Sequence, residues 1–272
     1  YKKRLAAANL PAEKVLPLLA QPKISSRGLN RVDAAGKVVE GTRTDQIVAF
    51  TIPLILLMLM FIVVLVGTSP LTTNLIEEKQ LRIAEVLLGS VSPFELMMGK
   101  LLGGVGVALT LAAIYFSGAY FVARQYHVQD MVSPGIIAWF LFFTIVSTIM
   151  YGSMFVAVGA AVTNVKEAQS MMMPVILVIM LPIFIMGNLL KDPHGILATI
   201  ASFFPTSAPM VTTARLAIPP GIPTWQPIAS ALVALGTTVV LVWAAGRVFR
   251  VGILMQGQGA NPAQLLKWII RG

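Results

Sequence analysis

The sequence predicts an all-α membrane protein, a polytopic bundle with about five transmembrane helices. Hydrophobic residues make up 57% of the 272 residues and charged residues only 11%, whereas ordinary soluble domains carry about a quarter charged residues. One core of this size cannot bury that much apolar surface, so a bilayer must surround it. The formal charge of +9 indicates cations that flank a membrane rather than nucleic-acid binding, because the basic residues lie in loops and tails with little aromatic interleaving.

Five apolar runs have the length and purity typical of membrane-spanning helices, which need about 20 residues to cross the hydrocarbon layer. The fourth is short, and Pro182 and Gly187 interrupt it. We expect Pro182 to kink its helix, a break that neighbouring helices tolerate in a membrane. The five predicted spans are residues 47–67, 101–122, 136–162, 174–190 and 228–249.

Three segments follow from this pattern: a polar segment over residues 1–45, a transmembrane domain over 46–252 and a tail over 253–272. The polar segment shows no sustained apolar period, so it is interpreted as the end of an aqueous domain or as an extended tail. The final segment is a Gly/Gln linker followed by a helix that begins at Asn261 and has one apolar face. That pattern is typical of a small interfacial anchor.

Residues 192–225, between the fourth and fifth spans, contain two apolar runs that are too short to cross a bilayer. Asp192 followed by Pro193 is typical of a helix start, with the aspartate as N-cap. The first run, 196–204, stops at Pro205, and the second follows the next proline. We therefore expect two short interfacial or re-entrant helices here.

The most informative stretch is residues 74–100, the elbow, which places four carboxylates and three cations between the first two spans. In a single helix, Glu78, Arg82 and Glu85 would share one stripe and make favourable pairs. Ser92 and Glu95, with proline between them at the first helical position, form a capping box that starts the next helix. The residues alone leave two interpretations open, a solvated loop that keeps two spans in register and a docking surface.

The elbow also carries a family motif. From Glu77 to Gly103 the sequence EEKxxRIxEVLLxSVSPFELxxGKxxG resembles the coupling-helix region of type-2 ABC exporter permeases, in the NatB-like sodium-efflux branch. Two shorter segments support the resemblance: FFPTSAP at 203–209 resembles that branch's extracytoplasmic turn, and RVGILM at 250–255 resembles its C-terminal end.

The resemblance implies a six-span permease with a large extracytoplasmic domain between its first two spans. This chain would then lack the first span, and residues 1–45 would be the end of that domain, outside the cell. The residues that match the coupling segment would contact the ATPase subunit. They are Glu77, Glu78, Lys79, Arg82, Glu85, Ser92, Pro93, Gly99 and Lys100.

The same resemblance implies an exporter in the cell membrane of a prokaryote, driven by a separate ATPase subunit that binds ATP and magnesium. A second permease copy or a paralogue would complete the membrane part. The substrate, whether sodium ion, drug, lipid or peptide, stays open. The rival interpretation is a non-transporting membrane scaffold or sensor that recruits a soluble partner through the elbow.

Several kinds of chemistry are not expected in this chain. Gly99-Lys100 is followed by leucine, so it lacks the Ser/Thr of a phosphate-binding loop, and we expect no ATP hydrolysis by this chain and no bound cofactor. The two histidines, His127 and His194, lie in different loops, and there is no cysteine; we expect no metal site.

Polar residues inside the predicted spans could line a substrate path, but the sequence favours the alternative, interhelical hydrogen bonding. Ion pathways usually contain charged residues, and the predicted spans contain just one, Arg247 near the end of the fifth. The candidate path residues are Ser117, Thr144, Ser147, Thr148, Tyr151 and Asn188. Small residues predict close helix approaches, within the subunit or at a dimer seam, at Gly99 and Gly103 and at Gly152 through Ala161.

Overall fold

The computed structural model describes residues 31–32, 38–39, 43–125, 133–219, 221–253 and 268–269. The all-α prediction is confirmed, and a pair of two-residue strands is the only β structure in the described part. The helices are α1 (Arg43–Gln80), α2 (Ile83–Leu87), α3 (Pro93–Gln125), α4 (Pro134–Ala161), α5 (Val165–Lys191), α6 (Ile196–Phe203), α7 (Ala208–Ala217) and α8 (Trp225–Gly252).

The chain divides into two compact units, residues 1–48 and residues 49–272. In the first unit, β1 (Arg31–Val32) pairs antiparallel with β2 (Val38–Val39), with Val32 opposite Val38. The sequence does not predict these strands, because two residues are too few to show an alternating pattern. All of the sites described below belong to the second unit.

Within the part of the chain that the structure describes, five helices are long and apolar enough to cross a membrane, as predicted. They are α1 from Phe50, α3 as far as Phe121, and the whole of α4, α5 and α8. The central helix is α4, in which 67% of the residues of the apolar centre are buried, against 39% or less in the other four. It packs against α3, α5, α7 and α8, so polar groups on α4 lie inside the bundle.

The first span is longer than predicted. The helix continues from the expected end near Gly67 through Pro70 to Gln80. Two threonines flank Pro70: Thr68 Oγ1 donates to Val64 O at 2.7 Å, and Thr72 Oγ1 donates to Phe155 O of α4 at 2.8 Å. The first part of the elbow is therefore a direct extension of the first membrane helix.

The fourth span is neither short nor interrupted, which corrects the prediction. Helix α5 has 27 residues and continues past Pro174, Pro182 and Gly187. It begins earlier than predicted because Asn164 caps it, accepting a hydrogen bond from the backbone N–H of Glu167 at 2.8 Å. The first turn of α5 contains polar residues, so the apolar pattern of the sequence does not show where this helix begins.

Two short helices follow α5 as predicted, but the first does not begin at Asp192. Asp192 ends α5 instead, and its N–H donates to Asn188 O at 2.9 Å. Pro193 disfavours helical geometry in the residue before it, which explains why Asp192 closes one helix rather than opening the next. Gly195 is the N-cap of α6.

A buried arginine joins these short helices. Arg215 of α7 is 1% exposed, and its Nε donates to Pro193 O at 2.8 Å, while Nη1 donates to Ser202 Oγ of α6 at 2.8 Å. Burial lowers the pKa of the Arg215 guanidinium, but an arginine stays charged near neutral pH.

Candidate functional site: the elbow

The elbow is not one continuous helix, which corrects the sequence interpretation. Helix α1 ends at Gln80, and Arg82 has the left-handed backbone angles φ 57° and ψ 17° before α2 starts at Ile83. A left-handed residue breaks the helical register, so Glu78, Arg82, Glu85 and Gly89 cannot share one stripe. The elbow therefore consists of the end of α1, a sharp turn, the short helix α2 and the start of α3.

The capping box that starts α3 is confirmed. The backbone N–H of Ser92 donates to Glu95 Oε2 at 2.8 Å, and the backbone N–H of Glu95 donates to Ser92 Oγ at 3.3 Å. Pro93 is the first residue of the helix, where its missing N–H costs nothing. These reciprocal bonds fix the point at which the chain re-enters the bundle.

Three charged residues of the predicted docking set are half-buried and bond to other groups within the protein. Lys100 Nζ of α3 donates to Glu78 Oε1 of α1, and the side chains are only 15% and 24% exposed. This ion pair links the two membrane helices that the elbow connects. Glu78 Oε2 is buried and has no hydrogen-bond partner among the described residues.

Lys79 is the third of these residues. Its Nζ donates to three backbone carbonyls: Ala160 O at 2.7 Å, Val162 O at 3.0 Å and Gly252 O at 3.0 Å. These carbonyls belong to the ends of α4 and α8. The ends of α1, α4 and α8 therefore lie together with the elbow at one end of the bundle, which we call the elbow end.

The exposed part of the elbow is a mixture of charged and apolar side chains. Of the predicted docking residues, Glu77, Arg82, Glu85, Ser92 and Gly99 are exposed, and Pro93 is half-buried. The exposed apolar side chains were not predicted, because the sequence pattern indicated that charged residues would cover the exposed face of the elbow. Leu81 is 70% exposed, Val86 78% and Phe94 52%. We call Leu81, Arg82, Ile83, Glu85 and Val86 the elbow surface.

The six candidate path residues do not come together. Thr144, Ser147, Thr148 and Tyr151 are buried on α4, whereas Ser117 on α3 and Asn188 on α5 are exposed.

Most of the buried hydroxyls bond to backbone carbonyls. Thr144 Oγ1 donates to Phe140 O and Thr148 Oγ1 to Thr144 O, both at 2.7 Å. Tyr151 OH donates to Thr206 O at 2.6 Å, so it joins α4 to the turn between α6 and α7. Ser147 Oγ is buried and has no partner among the described residues. The observed hydrogen bonds agree better with a structural role for these hydroxyls than with a polar path.

Only part of the predicted set of close helix approaches is present. At Gly152 and Gly159 an added Cβ would lie 2.9 Å from Leu101 Cδ2 and 3.0 Å from Thr72 O. A Cβ added at Gly99 or Gly103 would meet no atom within 4 Å on the described part of the chain. The close approach between α1 and α3 is made instead by Gly67 and Gly104, where a Cβ on Gly104 would lie 2.8 Å from Gly67 O.

The remaining predictions concern metals and the tail. Among the described residues, no group of three or more His, Cys, Asp or Glu side chains is close enough to hold a metal ion; His127 lies outside the described residues. Asn261, the predicted cap of the tail helix, also lies outside them. Trp268 and Ile269 pack against Ala161 and Val248 at the elbow end.

Comparisons with known proteins agree with the motif in the elbow. Residues 5–247 match the family model described as ABC-2 family transporter protein. The chain is 23% identical over 263 residues to the uncharacterized protein MJ1024 of Methanocaldococcus jannaschii, an alignment that covers 94% of this chain and 64% of that protein. It is 25% identical over 236 residues to the uncharacterized protein YhaP of Bacillus subtilis, covering 81% and 56%. The chain therefore spans less than two thirds of either relative, and no solved structure matches it.

Proposed function

We propose, from the premise that this chain belongs to the ABC-2 family of transporter proteins, that it is the membrane-spanning permease of an ATP-driven exporter. A separate ATPase subunit binds ATP and magnesium and docks on the elbow surface. A second permease copy or a paralogue completes the path through the cell membrane. The substrate belongs to one of four classes: sodium ion, drug, lipid or peptide.

The observation that carries this proposal is the exposure of the elbow surface at the end of a membrane helix. Val86 is 78% exposed and Leu81 70% exposed, and they lie among the charges of Arg82 and Glu85. Apolar side chains surrounded by charges are typical of protein interfaces, in which the centre is apolar and the rim is polar. A soluble partner that covers this surface would gain apolar burial as well as charge complementarity.

The path from the elbow into the membrane supports a mechanical role. Helix α1 is continuous from Phe50 to Gln80, and the Glu78–Lys100 ion pair links it to α3 next to the turn. When ATP brings two ATPase subunits together, a displacement of the elbow would tilt α1 and α3 and change which membrane face the path opens to. The elbow contact must differ in free energy between the two states for this shift to occur.

The docking role is tested by a charge placed in the centre of the elbow surface. We expect Val86→Asp to reduce the amount of ATPase subunit that co-purifies with the permease by about tenfold or more, because a buried unpaired carboxylate costs more than 1.4 kcal/mol. The matched control is Ile196→Asp at the first position of α6. Ile196 is 81% exposed, and an acidic residue is favourable at a helix N-terminus. Undiminished co-purification of Val86→Asp would remove the elbow from the interface.

Transport is distinguished from the scaffold or sensor alternative by the activity of the assembled complex. The permease and its ATPase subunit are reconstituted in proteoliposomes, and ATP hydrolysis is measured with sodium ions, with amphipathic drugs, with peptides and with lipids of varied headgroup. A transporter is stimulated by one of these classes. A scaffold binds the partner but shows no stimulation by any of them.

A further inference from the structure

The ammonium group of half-buried Lys79 makes contacts that the docking role does not explain. It lies one residue before the end of α1, and each of its three hydrogen bonds reaches a different carbonyl, at Ala160, Val162 and Gly252. Two of these carbonyls close α4 and the third closes α8. A single side chain thus connects the ends of three membrane helices.

The chemistry of this contact makes it strong. The last carbonyls of a helix have no partner within the helix, and together they carry a partial negative charge. An ammonium group has three donors and no acceptor, so it satisfies one carbonyl with each N–H. Hydrogen bonds with a charged donor are about twice as strong as neutral ones. Lys79 therefore stabilises an arrangement in which the ends of α4 and α8 converge on α1.

The helix ends are also packed too closely for a larger residue. An added Cβ at Gly252 would lie 2.5 Å from Ala160 O, so only glycine allows α8 to approach α4 this closely. A fourth contact lies nearby, because Gln80 Nε2 donates to Thr163 O, just beyond α4, at 3.2 Å. The chain turns at Arg82, two residues later. Lys79 is thus among the last points of α1 that are fixed to the bundle before the turn.

We propose that Lys79 is a positioning residue that transmits displacement of the elbow to α4 and α8 as well as to α1. This inference rests on the proposed function. With the lysine in place, the elbow and the end of α8 move as one body when the ATPase subunits close. Without the lysine, α1 and the elbow shift without α4 and α8. The displacement then no longer reaches the central helix, although ATP hydrolysis continues.

The experiment measures the distance between the elbow and α8 by pulsed spin-label spectroscopy. The chain has no cysteine, so Ser90→Cys and Arg250→Cys provide two unique labelling sites, both exposed. Distances are compared without nucleotide and with ATP trapped by a hydrolysis-deficient ATPase partner. In the otherwise unchanged protein, we expect the same narrow distribution in both states.

In Lys79→Met we expect the distribution to shift or widen on ATP binding by on the order of 2 Å, the size of helix shifts in switching proteins. Lys79→Arg keeps a charged donor and should restore the coupled movement. Lys166→Met is the control, because Lys166 is exposed on α5 close to the end of α4. Thermal unfolding and ATP hydrolysis are measured in parallel, and Lys79→Gln replaces the methionine variant if that variant does not fold.

A purely structural role for Lys79 would lower the unfolding temperature and leave the distance distributions equal in both states. That result would overturn the inference, as would an ATP-dependent shift of the elbow relative to α8 in the unchanged protein. Failure of the proposed function is seen separately, because the unchanged permease would then not co-purify with the ATPase subunit. In that case, the spin-label distances of the unchanged protein and of Lys79→Met, both measured without nucleotide, still test whether Lys79 fixes the elbow to α8.

Discussion

Individual residues at the elbow end have roles that depend on which backbone atoms surround them. Gly252 and Gly236 belong to the same helix, α8, and both have ordinary helical geometry. At Gly252 an added Cβ would meet the carbonyl of Ala160, whereas at Gly236 nothing lies within 4 Å. The sequence shows two similar glycines, but only the first permits a helix contact.

We expect Gly252→Ala to destabilise the protein by about 1–3 kcal/mol, the usual cost of forcing extra volume into a packed contact. The measurement is the thermal unfolding temperature of the purified permease in detergent. Gly236→Ala is the matched control, and it should leave the unfolding temperature unchanged or raise it slightly, because alanine is the better helix former. Equal unfolding temperatures for the two variants would contradict the close contact of α4 and α8.

At the scale of secondary-structure elements, the feature that defines the elbow is the turn between α1 and α2. Arg82 is the only residue other than glycine with a positive φ among those described. A left-handed conformation costs an L-residue about 1–2 kcal/mol, so the surrounding contacts must maintain it. The hydrogen bonds Leu81 N–H to Glu77 O at 2.9 Å and Arg82 N–H to Lys79 O at 3.1 Å close the end of α1.

We expect Arg82→Val to loosen the elbow and Arg82→Gly to preserve it. A β-branched side chain is disfavoured at a φ of 57°, while glycine adopts this angle freely. Amide hydrogen exchange of residues 83–87, followed by mass spectrometry, should be about fivefold faster or more in the valine variant, which corresponds to the cost of about 1 kcal/mol that is typical of a destabilising substitution. Ile83→Val, a similar change at the next position, serves as the control. Slow exchange in Arg82→Val would show that the turn does not depend on this backbone angle.

For the whole molecule, the proposed function requires that the elbow end and the end carrying α6 and α7 face opposite sides of the membrane. Helix α5 connects them: it begins at Val165 beside the elbow end and closes at Lys191. Its 27 residues extend about 40 Å at 1.5 Å per residue, which exceeds the hydrocarbon thickness of a bilayer.

Single cysteines test this orientation. In intact cells, we expect a membrane-impermeant maleimide to label Lys191→Cys and to reach Ser90→Cys only after the membrane is permeabilised. Both positions are exposed, so a difference in labelling reflects the membrane side. The reverse pattern would place the elbow away from any ATPase in the cytoplasm, and labelling of both positions in intact cells would mean that α5 does not cross.

Local sequence signals predicted the features that depend on neighbouring residues. The capping box of Ser92 and Glu95 depends on a spacing of three residues, and the five spans depend on continuous apolar runs. The same local signals failed where distant residues decide the outcome. Helix α1 continues past Pro70, where Thr72 bonds to Phe155 O of the distant helix α4.

The predicted docking residues of the elbow show the same division between local signals and distant partners. Spacing and the family motif identified the elbow as a segment, but Glu78, Lys79 and Lys100 turn toward groups that are distant in sequence. Lys79 reaches carbonyls 81, 83 and 173 residues away. No pattern in a single sequence shows such partners, because backbone carbonyls are the same at every residue.

The sequence by itself determined that the chain is a membrane bundle, that five of its described helices are long and apolar enough to cross, and which charged segment joins the first two. These properties follow from hydropathy and local spacing, which are fixed by residues close together along the chain. Only the tertiary structure decided which elbow side chains are exposed and which are internal. Burial and the pairing of a charge depend on helices that meet across the bundle, and a cation turns inward only where the ends of other helices offer it carbonyls.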